Sequence, residues 1–333
     1  MNTPAPVETP IERLLALLSE DMDGVARLIR ERMASRHAPR IPEVTAHLVG
    51  AGGKRLRPLL TLAAARLCGY RGADHLKLAA TVEFIHTATL LHDDVVDESA
   101  RRRGRPTANL LWDNKSSVLV GDYLFARAFQ LMVEPGNLQV LDILSNAAAV
   151  IAEGEVLQLT AAANLATDEA VYLQVIRGKT AALFSAATEA GAVIAGAKPQ
   201  VACALRDYGD ALGIAFQIAD DLLDYRGTDD RLGKNVGDDF RERKMSLPVI
   251  RALAQADAAE RAFWVRVIEK GEQREGDLAA AMAIMARHSS LDSTRDTALD
   301  HAARARSALA PLPEGPIRAQ LADLAEFVVA RLV

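Results

Sequence analysis

Leu90-Leu91-His92-Asp93-Asp94-Val95-Val96-Asp97 closes a stretch, residues 73–97, in which apolar residues recur at spacings of three and four. That period belongs to an α-helix and not to a strand. On a helix, positions i and i+4 share a face, about 5.4 Å apart along the axis. Asp93 and Asp97 therefore project together from the end of an apolar helix. The pattern recurs in Phe216-Gln217-Ile218-Ala219-Asp220-Asp221-Leu222-Leu223-Asp224, at the end of a second helical stretch, where Asp220 and Asp224 share a face. With 25 aspartates in 333 residues, chance supplies ~0.1 Asp-Asp-x-x-Asp patterns per chain. One acidic helix end is an ordinary solvated terminus; two of this form call for a cause.

Outward from these two stretches the helical period continues nearly throughout. It predicts helices over 11–34, 42–50, 57–69, 73–97, 108–133, 138–163, 168–195, 200–225, 239–254, 258–270, 275–287, 290–310 and 316–332, with breaks where Gly and Pro cluster. No stretch alternates convincingly, so no strand is expected. Helices 138–163 and 179–195 are apolar on more than one face, which places them inside a large bundle. No linker-like segment divides the chain. The expectation is an all-α protein with one domain, residues 1–333, and residues 1–10 as a flexible, Pro-containing tail.

Composition narrows the function. Charged residues are 25% and hydrophobic residues 50%, with a net charge of −5. That is globular composition, and the acidic balance argues against nucleic acid as a partner. Cys68 and Cys203 lie far apart in apolar helical contexts; they are read as small buried hydrophobes in a reduced, cytoplasmic protein. No signal-peptide plan opens the sequence, and no charge-free apolar run reaches the ~18 residues that span a bilayer. A peripheral membrane contact stays open.

Crowded carboxylates repel, and a helix C-terminus is the unfavourable end for anions. A cation would offset both costs. Oxygen-only donors point to a hard ion, and Mg²⁺ binds through one or two carboxylates plus phosphate oxygens and water. Asp93, Asp94, Asp97, Asp220, Asp221 and Asp224 are thus candidates to hold a Mg²⁺–diphosphate group. Basic residues bracket them: Gly53-Lys54-Arg55-Leu56-Arg57-Pro58, Arg101-Arg102-Arg103-Gly104, Gly178-Lys179-Thr180, and Lys234 and Lys244. Each alone reads as a surface patch; together they fit phosphate recognition. Gly52-Gly53-Lys54 is not a nucleotide loop, because Leu48 and Arg55 stand where a Gly and a Ser or Thr are needed. His86 lies seven residues before Asp93 on nearly the same face. Glu83-x-x-His86 is half of a di-iron motif, but no other histidine has a Glu three residues before it.

These stretches resemble the trans-type isoprenyl (polyprenyl) diphosphate synthases. The two aspartate-rich segments, Arg102-Arg103-Gly104, the Gly53–Pro58 segment and Leu232-Gly233-Lys234 all look like family signatures, and the similarity runs from about residue 45 to 250. The resemblance implies an isoprenoid-synthase fold, a single large helical bundle with a central cavity. It implies Mg²⁺-dependent head-to-tail condensation of an allylic diphosphate with isopentenyl diphosphate. It assigns Mg²⁺ to Asp93, Asp97 and Asp220, with Asp94, Asp221 and Asp224 supporting. It assigns isopentenyl diphosphate to Lys54, Arg57, His86 and Arg103. The allylic diphosphate falls to Arg102, Lys179, Thr180, Gln217, Lys234 and Lys244. Asp93, Asp97, Asp220, Lys179 and Lys234 are its catalytic set, and a homodimer is implied. One departure is visible: the family commonly has Glu-Gly-Lys-x-Thr-Leu-Pro, and this chain has Glu242-Arg243-Lys244-Met245-Ser246-Leu247-Pro248. Arg243 in place of Gly alters the backbone freedom next to Lys244.

A growing product would run from Asp93 toward the start of its helix. Ala88 and Thr89, just before the aspartates, are small; Ile85 and Val82 lie deeper, Val82 about 16 Å below Asp93. Small residues here predict a long product, octaprenyl to decaprenyl, such as a quinone side chain. Phe125 and Phe129 are candidates for a deeper floor. The alternatives are a short- or medium-chain (farnesyl or geranylgeranyl) synthase and a terpene cyclase on the same fold. Lys54, Arg57 and Arg103 favour a synthase over a cyclase, which needs no isopentenyl diphosphate site. Two intact aspartate clusters argue against a non-catalytic partner subunit or a scaffold.

Overall fold

Short polar side chains start the helices. Thr9 and Glu12 form a reciprocal capping box at the first helix, Asp257 and Glu260 another, and Asp113, Asn137 and Asp168 each cap one more. The computed structural model describes residues 8–35, 37–50, 55–102, 104–226, 236–330 and 332. In chain order the elements are α1 (Pro10–Leu17), α2 (Ser19–Met33), α3 (Arg40–Gly50), α4 (Leu56–Leu67), α5 (Asp74–Val96), β1 (Arg101–Arg102), β2 (Arg105–Pro106), α6 (Ala108–Leu111), α7 (Asn114–Val133), α8 (Leu138–Ala161) and α9 (Glu169–Ile176). A π-helical turn (Arg177–Ala181) leads into α10 (Ala182–Ile194) and α11 (Pro199–Arg226). Then come α12 (Asp238–Arg241), α13 (Leu247–Ala254), α14 (Ala258–Trp264), a second π turn (Val265–Glu269), α15 (Asp277–Arg287), α16 (Ser290–Ala308) and α17 (Pro316–Ala330).

The all-α expectation holds. α10 is the central rod, packed against α4, α5, α8 and α11. Its apolar residues face every way, and Leu183, Phe184, Ala187, Ala190 and Ala192 are all buried. Small residues let the backbones close on it: a Cβ on Gly191 would lie 2.5 Å from the Thr61 carbonyl oxygen, and one on Gly209 2.5 Å from that of Phe184. α16 and α17 cover the far side of α11, where the Tyr208 hydroxyl donates to the Leu321 carbonyl at 2.9 Å. α1 and α2 strap the N-terminal side, α2 through Asp21, which accepts two hydrogen bonds of 2.6 Å from Arg66. Of the expected 1–10 tail, residues 1–7 lie outside the described residues, and Thr9 and Pro10 begin α1.

Several boundaries differ from the sequence reading. The 108–133 helix breaks at Trp112–Asp113, because the Asp113 carboxylate accepts the Ser116 N–H at 2.6 Å and starts a new helix. The 11–34 helix breaks at Leu18. The 239–254 helix breaks at 242–246, where Arg243 adopts a left-handed φ of 56°. A two-rung antiparallel ladder pairs Arg101 with Pro106 and Arg102 with Arg105, where no strand was expected. It turns on Gly104, whose φ of +75° suits glycine. Cys203 is exposed, contrary to its reading as a buried hydrophobe, while Cys68 is half-buried. No helix among the described residues is long and apolar enough to cross a membrane.

Candidate active site

Asp93 and Asp94 occupy the last turn of α5, and Asp97 caps it. The three side chains have different surroundings. Asp94 is wholly buried, and its Oδ1 accepts from Arg102 Nε at 2.8 Å and Nη2 at 2.7 Å. Arg102 reaches it from β1, so the small ladder fixes this guanidinium beside the helix end. The Asn109 amide donates to the Asp94 carbonyl at 3.2 Å. Asp97 is exposed. Asp93 lies between: burial pushes its carboxyl up to about 7, Lys179 pulls the other way, and the charges of Glu155 and Asp97 add to the rise.

The second cluster occupies the last turns of α11. Asp221 accepts from the buried Tyr172 hydroxyl at 2.7 Å and from Gln217 Nε2 at 2.8 Å. Burial and the neighbouring charges of Asp239 and Asp220 push its carboxyl up, and those two donors oppose the rise. Asp224 accepts the backbone N–H groups of Asp238 and Asp239 at 3.2 and 3.1 Å, which anchors α12 to α11. Asp220 is half-exposed. Lys244, from the turn before α13, stands 3.4 Å from Asp239 Oδ1 and 2.5 Å from Glu242 Oε2. Burial opposes its charged form, yet Asp239, Glu242 and Asp97 together hold its ammonium well above the ordinary lysine range. Lys244 thus feels the first cluster from a position beside the second.

The π turn joins the clusters more directly. Lys179 Nζ lies 3.9 Å from Asp93 Oδ2. The next residue, Thr180, donates to Gln217 Oε1 at 2.7 Å, and Gln217 in turn donates to Asp221. Two consecutive residues therefore reach the two aspartate segments. A π turn is frequent at functional sites because its extra residue redirects the side chains around it.

About two turns before Asp93 on α5, His86 Nε2 accepts from Arg57, in the first turn of α4, at 3.1 Å, and the Arg57 guanidinium lies 4.5 Å over the Phe184 ring. Lys54, Arg103 and Lys234 lie outside the described residues. Val82, Ile85 and Ala88 are wholly buried, and the half-buried Thr89 donates its hydroxyl to the His86 carbonyl at 2.8 Å. Phe125 is half-buried, its ring 5.9 Å from that of His92. Phe129 is exposed, so it is no inner floor within this chain. Among the described residues, no three acidic or imidazole side chains converge as a self-contained metal site would.

The sequence reading missed Glu155, whose carboxylate lies 2.8 Å from Lys179 Nζ, and also Tyr172, Asn109 and Asp239. Gly154-Glu155, a flexible residue and a charge inside an apolar helix, was the one local signal available.

A model of the family described as polyprenyl synthetase matches residues 38–285. The octaprenyl diphosphate synthase of Escherichia coli (strain K12) is 44% identical over 321 residues, covering 96% of this chain and 99% of that protein. The crystal structure of a decaprenyl diphosphate synthase from Rhodobacter capsulatus superposes with a TM-score of 0.95 at 70% identity, over 97% of this chain and 100% of that one. A polyprenyl synthase from Caulobacter crescentus, crystallised with calcium and isoprenyl diphosphate, superposes at 0.92 with 53% identity, over 98% and 100%. Two aspartate-rich helix ends linked through one basic turn, a family match over most of the length and these relatives agree: the chain belongs to the polyprenyl synthetase family and is a trans-prenyltransferase.

Proposed function

We propose that this enzyme elongates an allylic diphosphate with isopentenyl diphosphate, head to tail, to a long all-trans product of octaprenyl to decaprenyl length. The observation that supports it most is the Lys179-Thr180 pair, which reaches Asp93 on one side and the Gln217–Asp221 pair on the other. The long product is supported by the similarity to octaprenyl and decaprenyl synthases and by the small Ala88 next to the site. A quinone side chain is a fitting destination.

The donor set suits Mg²⁺. It is all oxygen, it is crowded, and Asp93 is buried, with Glu155 and Asp97 adding to the cost of its charge and Lys179 and Arg102 opposing it. By resemblance we assign the ion to Asp93, Asp97 and Asp220, with Asp94, Asp221 and Asp224, which accept hydrogen bonds from neighbouring protein groups, in support. A small ion that takes one or two carboxylates and completes its shell with phosphate oxygens fits this arrangement. Bound there, Mg²⁺ would supply positive charge to offset that of the departing diphosphate.

The chain's own groups do the rest. Lys179, Arg102 and Lys244 present cations to the allylic diphosphate, with Lys234 assigned by resemblance. Arg57, braced by His86 and the Phe184 ring, receives isopentenyl diphosphate, together with Lys54 and Arg103, also assigned by resemblance. Fixed positive charge where the diphosphate departs lowers the ionisation barrier. The buried apolar surroundings keep water from the allylic cation. The released diphosphate is basic enough to accept the proton lost after carbon–carbon bond formation, so the protein need supply no base. We also assign the exposed apolar residues of α7 and α8 to a homodimer interface. The test is incubation with labelled isopentenyl diphosphate, Mg²⁺ and a series of allylic primers, then sizing of the dephosphorylated products. Products of eight to ten isoprene units are expected, in line with the relatives' names; no chain growth with any primer overturns the reading.

A further inference from the structure

Glu155 belongs to neither aspartate segment, yet it is the anion closest to Lys179. The approach is built by two glycines. A Cβ on Gly154 would lie 2.7 Å from the Lys179 nitrogen and 2.9 Å from the Gly178 carbonyl carbon; a Cβ on Gly178 would lie 3.0 Å from Gly154 Cα and 3.1 Å from the Val150 oxygen. These are backbone atoms that no side chain can brush aside. Only because both positions lack side chains do α8 and the π turn touch, and the next residue on each is the charged one. Glu155 Oε2 then lies 2.8 Å from Lys179 Nζ, while Asp93 Oδ2 lies 3.9 Å away. The first distance is a charge-assisted hydrogen bond; the second is an ion pair without one. All three side chains are mostly shielded from solvent, at 26%, 25% and 15% exposure for Glu155, Lys179 and Asp93. Water competes weakly for these charges, and the geometry decides which carboxylate the ammonium prefers.

Without the Glu155 charge, the nearest anion for Lys179 is Asp93. A full hydrogen-bonded pair there would occupy the carboxylate that a metal-bound diphosphate needs and would draw the cation toward the helix end. We propose that Glu155 is a positioning residue that holds the Lys179 ammonium off Asp93, leaving Asp93 open to the metal-bound allylic diphosphate and setting the cation where the phosphate oxygens arrive. The proposal rests on the prenyltransferase reading of this site and adds to it a group that touches neither the substrate nor the reacting atoms.

The test compares Glu155→Gln, Glu155→Asp and Gly154→Ala with the unaltered enzyme. It measures KM for each substrate, the affinity for inorganic diphosphate with Mg²⁺ by calorimetry, and the melting temperature. Glu155→Gln keeps the size and an acceptor oxygen but removes the charge. It is expected to raise the allylic KM and weaken magnesium-diphosphate binding by roughly tenfold, the effect of one charge-assisted contact, with the isopentenyl KM within about twofold. Glu155→Asp restores part of the loss because it restores the charge. Gly154→Ala, which forces the backbones apart, shifts the allylic KM in the same direction. Glu155→Gln binding magnesium diphosphate as tightly as the unaltered protein overturns the proposal. So does a loss shared equally by both substrates and tracking a fall in melting temperature, or Glu155→Asp behaving no better than Glu155→Gln. Should the unaltered enzyme extend no primer, the prenyltransferase reading fails, and the calorimetric comparison still decides the role of Glu155.

Discussion

At Asp93, the role we assign and the stability of the fold pull in opposite directions. Its carboxylate is mostly buried, and Asp97 and Glu155 add repulsion to the cost of burial, against the attraction of Lys179 and Arg102. A neutral isostere should relieve that crowding. Asp93→Asn is expected to gain about 1 kcal/mol in stability, read as a melting temperature higher by a few degrees. It is expected to lose at least about 100-fold in turnover, the usual scale for removing one electrostatic partner of a reacting group. Asp220→Ala should lose activity on the same scale with an unchanged circular-dichroism spectrum; near-normal turnover in either variant contradicts the metal assignment. Arg243 makes a separate case. It stands where the family commonly has Gly, and its φ of 56° is the conformation glycine adopts freely. Its carbonyl accepts the Ala163 N–H at 3.1 Å and its guanidinium packs near Gly271, so the turn before Lys244 keeps its shape despite the larger residue. Left-handed backbone costs a non-glycine residue about 1 kcal/mol, and glycine's greater freedom in the unfolded chain costs a similar amount. Arg243→Gly is therefore expected to change stability by less than about 1 kcal/mol, with activity intact. Arg243→Val, β-branched in the same conformation, should cost about 2 kcal/mol in a urea titration.

At the scale of elements, the helices that carry the site meet through small residues. A Cβ on Gly209 would sit 2.5 Å from the Phe184 oxygen and 2.7 Å from Ser185 Cα, both backbone. Gly209→Ala must push α11 off α10, at a cost of about 2 kcal/mol read from the urea midpoint. Because Gln217 and Asp221 ride on the same helix, allylic binding should weaken with it. Ala88 is wholly buried one turn and a residue before Asp93, and on our reading the product grows past it. Ala88→Phe fills that space, so shorter products with turnover retained are expected by chromatography of the dephosphorylated chains; an unchanged length distribution contradicts the assignment. The aspartate spacing was legible in the sequence because it depends only on the period of a helix. The salt link between Glu155 and Lys179 was not, because those residues lie 24 apart and meet only where two glycines let α8 touch the π turn. The Arg101–Pro106 ladder was illegible for a related reason. Its two rungs carry no alternating pattern, and the hold of Asp94 on Arg102, which fixes one strand, is a tertiary contact. The break at Asp113 was signalled by a capping residue inside an apolar run.

At the scale of the molecule, α7 and α8 expose several large apolar side chains. Leu119, Phe129 and Val133 on α7 and Leu138, Val156 and Leu159 on α8 are all exposed, Leu138 at 80% and Leu119 at 66%. Leu119 and Val133 on α7, and Leu138 and Val156 on α8, recur near whole numbers of turns, so each pair lies along one side of its helix, and the two helices pack together. Large apolar patches left in water commonly mark interaction sites. A second copy of the chain is the occupant we assign, since a symmetric pair covers the same patch on both molecules at once. α7 also carries Val118, whose carbonyl lies 3.1 Å from His92 Nε2, and Gly121, against which the His92 ring packs. The outer helix is thereby coupled to the residue next to Asp93. Leu119→Glu combined with Phe129→Glu should shift the sedimentation behaviour from twice the chain mass to a single chain. It should also reduce turnover, because α7 loses the support that holds it against the end of α5. If the unaltered protein sediments as a single chain at micromolar concentration, the interface assignment fails. If the double variant is monomeric and turns over normally, the interface stands and its coupling to the site through His92 does not.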